Sequence, residues 1–182
     1  MARIETTKIR NIALVGHEGA GKTILVEAFL HKVGMLTRMG TIKEGNTASD
    51  FDQDEREGGK SFSCSTLSFT YKDILFNVLD VPGSSDCVGD MLTALRAVEC
   101  ALICVDATSG VKVNTRKIWQ EAEKLGLPCC FAITRLDAEN TNYAKTLAEI
   151  QEIFGDRCIP AQLPDGSASS FSKVFSVVQP PD

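Results

Sequence analysis

At 182 residues, with 43% hydrophobic and 24% charged residues, the chain has room for one α/β domain with a sizeable core and is too short for two comfortable ones. A net charge of −5 and a pI near 5.1 argue against strong non-specific attraction to nucleic acid or an anionic membrane by this segment alone. No apolar run approaches the roughly 18 residues needed to span a bilayer, and the polar stretch from Met1 to Arg10 lacks the apolar core of a secretory signal. The expectation is a soluble, cytoplasmic, monomeric protein with no membrane partner.

Seven cysteines stand at positions 64, 87, 100, 104, 129, 130 and 158, an odd number with no C-x-x-C pair, and the chain has only two histidines. That spacing does not make a zinc site, and several of these thiols fall inside apolar runs, where they act as small hydrophobes. Reduced core thiols are expected.

Along the chain, Ile9 to Val15 is a short apolar run that ends at Gly16, and Thr23 to Val33 has helical spacing stopped by Gly34. From Met35 to Lys60 the periodicity dissolves into Gly, Thr, Asp and Glu, predicting a long mobile loop whose acidic stretch, Asp50 to Glu57, is solvated. Phe62, Cys64, Leu67, Phe69 and Tyr71 roughly alternate, Lys72-Asp73 interrupts, and Ile74 to Leu79 follows, which predicts an antiparallel hairpin ending at Asp80. Next come a helix over Asp86 to Val98, a buried strand over Cys100 to Val105, a helix over Asn114 to Leu125 and a buried strand over Pro128 to Thr134. A last helix runs from Asn142 to Phe154, and Asp156 to Asp182 holds only short apolar pieces. Such alternation predicts an α/β fold: a mostly parallel sheet with one antiparallel hairpin strand and helices on both faces.

Gly16-His17-Glu18-Gly19-Ala20-Gly21-Lys22-Thr23 is a complete P-loop set between the first strand and the first helix. A triphosphate packs several negative oxygens closely. A glycine turn whose N–H groups converge, followed by a helix N-terminus, holds them. Gly16, Gly19 and Gly21 allow the turn, Lys22 would reach the β- and γ-phosphates, and the Thr23 hydroxyl would be a ligand of the accompanying Mg²⁺. Asp80, at a strand end before Val81-Pro82-Gly83, suits a second, water-mediated contact to the ion, with the Gly83 N–H free for the γ-phosphate. In Thr134-Arg135-Leu136-Asp137, after the strand Cys130 to Ile133, the Asp137 carboxylate can accept from N1–H and the 2-amino group of guanine, donors that adenine lacks. A third reading is a P-loop ATPase or kinase with an accidental T-R-L-D match, which a nucleotide competition test separates from the guanine reading.

With these residues the chain resembles the N-terminal G domain of elongation factor G, and most of all the divergent bacterial elongation factor G-like proteins. Arg10-Asn11-Ile12-Ala13-Leu14-Val15-Gly16-His17 opens as theirs do, Gly40 to Asp52 resembles their first switch region, and Leu79 to Gly83 their D-x-P-G segment. Gly110 to Leu127 resembles the helix before the base strand, and the likeness runs from about residue 9 to 170. The resemblance implies a translational GTPase G domain that binds GTP or GDP with Mg²⁺ and serves the ribosome, with Lys22, Gly83 and Ser84 as the catalytic set. It also places Ser61 as a Mg²⁺ and γ-phosphate ligand beside Thr23 and Asp80.

Four departures accompany the likeness. Ser84 stands where elongation factor G has the histidine that positions the attacking water, so intrinsic turnover is expected to be slow. Thr134 replaces the Asn of N-K-x-D, losing an amide that would bond the base and brace the P-loop, while Arg135 can still lay its stem over the ring. Gly58-Gly59-Lys60-Ser61 aligns with R-G-I-T, so the arginine is missing, and Gly19 stands where Asp is usual. The alternative that these changes favour is a nucleotide-state switch with little or no GTPase activity. His17 reads as loop scaffold, His31 as a solvated partner of a helix C-terminus, and Trp119 as core or interface.

Residues 1–155 are expected to form the G-domain core without its last strand and helix. Residues 156–182 are expected to begin an inserted subdomain or to be the tail of a truncated chain, and Ser167-Ala168 is not expected to be the S-A pair that closes a guanine pocket, because no long apolar strand precedes it.

Overall fold

In the computed structural model, residues 4–178 are described; the first residues of the polar N-terminal stretch and the last of the 156–182 segment lie outside them. A five-stranded sheet is formed by β1 (Ile9–Gly16), β2 (Ser65–Tyr71), β3 (Ile74–Asp80), β4 (Cys100–Asp106) and β5 (Cys129–Thr134), in the spatial order β2-β3-β1-β4-β5. β1 runs parallel to β3 and β4, β4 runs parallel to β5, and only the β2–β3 pair is antiparallel. The turn between them is made by Lys72 and Asp73, both at positive φ, so the expected hairpin forms with its second strand in the sheet interior.

The period-two alternation sorts each strand's side chains onto two faces. Ala13, Val15, Ala101, Ile103 and Val105 pack on one face with Met91, Ala94 and Leu95 of α3 (Val88–Arg96), Ile118 of α4 (Val113–Lys124) and Ile150 of α5 (Tyr143–Phe154). On the other face, Leu14, Val78, Cys104 and Phe69 pack with Val26 and Leu30 of α1 (Lys22–Lys32). Helices therefore lie on both faces, as the alternation predicts. Trp119 stacks on Phe131 with ring centroids 5.5 Å apart and lies 4.9 Å from Phe154, so it is a core residue. All seven cysteines are free thiols, and burial pushes the pKa of Cys104, on the face of β4 that packs with α1, up to about 12.

Two expectations need correction. The segment 35–60 is not a featureless loop: it holds a 3₁₀ turn at Ile42–Glu44 and a short helix, α2 (Gln53–Gly58). Its acidic stretch is not uniformly solvated either, because Asp50 is 5% and Glu55 1% exposed. Periodicity fails here because the ordering is done by buried carboxylates binding backbone amides, which leave no apolar pattern. Glu55 accepts from the Phe62 and Ser63 N–H groups at 2.8 and 3.0 Å. Glu27 of α1, 1% exposed, accepts from Gly40 and Ala48 at 2.6 Å each and so pins both ends of the intervening stretch to the helix.

In the C-terminal segment, β6 (Gln162–Asp165) and β7 (Lys173–Ser176) form a separate antiparallel pair. Among the described residues no helix is long and apolar enough to cross a membrane.

Candidate nucleotide-binding site

β1, β3 and β4 all end, in the same direction, at one edge of the sheet, and the P-loop joins β1 to α1 there. Gly21 caps α1 at φ 78° and contributes no side-chain hydrogen bond, so the first amides of the helix are left for an anion. α5 differs: there the Asn142 side chain accepts from the Lys145 N–H at 2.9 Å. Lys22 is 7% exposed, and its ammonium donates to the carbonyls of Gly16 and His17 at 3.2 and 3.0 Å. Burial pulls its pKa below the ordinary lysine value, against the opposing pull of Asp80. A phosphate beside this ammonium would add to the negative charge of Asp80, Glu18 and Asp50 around it.

The three residues expected to hold the metal ion come together. The Thr23 hydroxyl donates to Asp80 Oδ2 at 2.9 Å and lies 3.5 Å from the Ser61 hydroxyl. Ser61 donates to Asp50 Oδ1 at 2.6 Å, and Thr47 donates to Asp50 Oδ2 at 3.0 Å. Asp50 is thus a second carboxylate of this cluster. It was missed because it belongs to a segment read as solvated; a lone Asp ahead of a short helix gives no periodic signal. Asp80 is 2% exposed and burial pushes its pKa up, against the opposing pull of the Ser49 and Thr23 hydroxyls that face its carboxylate. Two hydroxyls and two carboxylates are hard oxygen donors that fit Mg²⁺. Among the described residues no group of three or more His, Cys, Asp or Glu gathers as a metal site, so a cation here needs hydroxyl and nucleotide oxygens as well.

Gly83 presses on the P-loop. A Cβ at that position would lie 2.5 Å from Lys22 Nζ and 2.6 Å from the Glu18 backbone N, so only glycine fits. Its carbonyl accepts from the Asn114 side chain at 3.0 Å, which ties this turn to the start of α4. The Ser84 hydroxyl accepts from the Asp86 N–H at 3.3 Å and caps the 3₁₀ turn Ser85–Cys87. His17 keeps one ring nitrogen buried without a partner and the other 3.4 Å from the Ser109 hydroxyl; burial first, then Lys22, pulls its pKa below 6.5. His31 is exposed in the last turn of α1.

Thr134 ends β5 beside the P-loop, and Arg135 to Asp137 follow it. The Thr134 hydroxyl donates to the Ala20 carbonyl at 2.9 Å and lies 3.3 Å from that of Val105. The bracing of the P-loop, expected to be lost with the asparagine, is therefore kept: a hydroxyl at the strand end is long enough to span the gap. Arg135, at φ 57°, points its guanidinium at Asp106 Oδ2 3.4 Å away, and Asp137 is exposed. The Ala168 N–H donates to the Leu136 carbonyl at 2.9 Å, so the turn at Ser167-Ala168 rests against this loop, a contact that no sequence period announces.

The sequence profile of the Elongation factor Tu GTP binding domain family matches residues 7–179. An elongation factor G-like protein of Mycobacterium tuberculosis is 40% identical over 158 residues, covering 87% of this chain and 22% of the relative. A mitochondrial ribosome-releasing factor 2 of Danio rerio is 30% identical over 174 residues, covering 96% of this chain and 23% of the relative. A crystal structure of a Thermus thermophilus protein superposes with a TM-score of 0.88 at 34% identity, covering 93% of this chain and 26% of that one. The chain thus spans about a quarter or less of the curated relatives it matches. With a match over nearly its whole length, the chain belongs to the family of elongation factor Tu GTP-binding domains.

Proposed function

We propose that this chain is the guanine-nucleotide domain of an elongation factor G-like protein, hydrolysing GTP to GDP and phosphate slowly and acting in translation on the ribosome in the cytoplasm. The observation that carries this reading is the meeting of Thr23, Ser61 and Asp80 at the end of a P-loop whose Lys22 is buried and feels the Asp80 charge. Thr23, Ser61 and Asp80 would hold Mg²⁺, which when bound supplies positive charge to the phosphate oxygens. Lys22 supplies charge to the same oxygens. Gly83 presents its N–H toward the terminal phosphate, and Asp137 accepts from the guanine edge. Arg135, restrained by Asp106, places its stem beside the ring.

Slow turnover follows from Ser84. A hydroxyl is a poor substitute for an imidazole in orienting water, and here it already caps the following turn. Loss of a general base costs on the order of 10²-fold or more. Single-turnover phosphate release checks this: Ser84→His should hydrolyse GTP faster than the parent, and an unchanged rate would count against the assignment. The capping role of Ser84 also favours a second reading, a nucleotide-state switch with little hydrolysis. In that case phosphate release stays negligible with ribosomes present while GTP and GDP still bind.

Reading residues 1–155 as the core of the domain and 156–182 as the start of an inserted subdomain is supported by the separate β6–β7 pair.

A further inference from the structure

Of the ion pairs among the described residues, one joins the P-loop to the segment that carries Ser61: Lys60 Nζ lies 2.7 Å from Glu18 Oε1. The other three are Arg38–Glu44, Lys124–Glu121 and Arg135–Asp106, all elsewhere. Both partners flank the phosphate site. Glu18 is a P-loop residue whose backbone N abuts Gly83, and Lys60 directly precedes Ser61.

Residues 59–63 are held together as a unit by α2. Gly59 caps that helix at φ 60°, the Lys60 N–H donates to the Glu55 carbonyl at 3.2 Å, and the Glu55 carboxylate takes the Phe62 and Ser63 amides. The contacts of that unit with the P-loop side of the site are few: Ser61 to Thr23 at a weak 3.5 Å, and the Lys60–Glu18 pair. A charge on each side at hydrogen-bond distance is the stronger of the two.

We propose that Lys60 and Glu18 form an electrostatic latch that closes the Ser61 segment over the bound phosphates. The inference rests on the guanine-nucleotide reading above and adds the regulation of that site. When the latch is closed, Ser61 is kept within reach of Thr23 and the ion, and the nucleotide is retained. When it opens, Ser61 is freed from Thr23, while Glu27 still holds Gly40 and Ala48 to α1. Both side chains are about half exposed, 54% for Lys60 and 49% for Glu18, so salt screens the pair and closure is graded by ionic strength.

The test is the dissociation rate, with Mg²⁺, of a fluorescent non-hydrolysable GTP analogue. It is measured on the parent chain and on Lys60→Gln, Glu18→Gln and the double variant, at low and high potassium chloride, with Lys60→Arg as the charge-retaining control. Lys60→Gln should release the analogue roughly two- to fivefold faster, as breaking an exposed ion pair implies. The same change should add nothing in the Glu18→Gln background, the Lys60→Arg variant should behave as the parent, and the salt dependence of the parent should flatten in the double variant. Unchanged release by Lys60→Gln overturns the latch. So does equal acceleration in both backgrounds, which would make Lys60 a direct phosphate ligand. A parent chain that binds the analogue not at all overturns the guanine-nucleotide reading and the latch with it, an outcome distinct from the other two.

Discussion

The two ends of the nucleotide site are built differently. At the phosphate end the functional groups are buried and held by strands and helix: Lys22, Thr23, Asp50 and Asp80 are each at most 7% exposed, and each has protein contacts within hydrogen-bond reach. At the base end Arg135 and Asp137 are exposed on a loop, and the fixed element is Thr134, which faces the P-loop instead of the base pocket. On the proposed reading, recognition of phosphate is largely prepaid in the fold, whereas recognition of the base would depend on exposed side chains that settle when the ligand arrives. Affinity and selectivity should then respond to different mutations.

The largest expected effect is at the phosphate end. Lys22→Ala should weaken GTP and GDP by about 10- to 100-fold alike, since it removes charge-assisted hydrogen bonds in a buried site, and calorimetric titration reads it directly. Next, Asp137→Asn should lower GTP affinity by roughly 10-fold or more while leaving ATP binding unchanged, so that the GTP-to-ATP ratio collapses. A uniform loss for both nucleotides would mean that the two ends are coupled more tightly than their construction implies.

A smaller effect sharpens the comparison by loosening the phosphate end from behind. Glu27→Gln removes a buried carboxylate that two amides share and should cost about 1–3 kcal/mol in denaturant unfolding. Hydrogen exchange should speed at Gly40 and Ala48 first, and unaltered exchange there would deny Glu27 its anchoring role. The smallest effect comes from His17. Its pKa in the folded chain lies below 6.5 because burial disfavours the imidazolium, so the unfolded chain binds more protons in the window just below 6.5. Stability should therefore fall slightly as pH drops through that window, and His17→Asn should remove the dependence.

How legible each end was in the sequence follows the same division. The P-loop, Asp80 and Gly83 were readable because phosphate chemistry fixes residue types at fixed spacing, and the strands and helices around them alternate with clear periods. Asp50, Glu27 and Glu55 were not, since a carboxylate that binds distant amides looks in sequence like any surface acid. The role of Thr134 was half legible: the loss of the asparagine could be read, but the reach of its hydroxyl to Ala20 depends on how closely β5 passes the P-loop. The β6–β7 pair was too short for a pattern, with strands of four residues each.

The most direct test of the central claim is a titration of the chain, with Mg²⁺, by fluorescent GTP, GDP and ATP analogues, followed by single-turnover phosphate release with and without ribosomes. Binding of both guanine nucleotides, much weaker binding of ATP, and slow release that rises with ribosomes is the result expected of a preformed phosphate site with an Asp137-dependent base site. Equal affinity for ATP and GTP would contradict it.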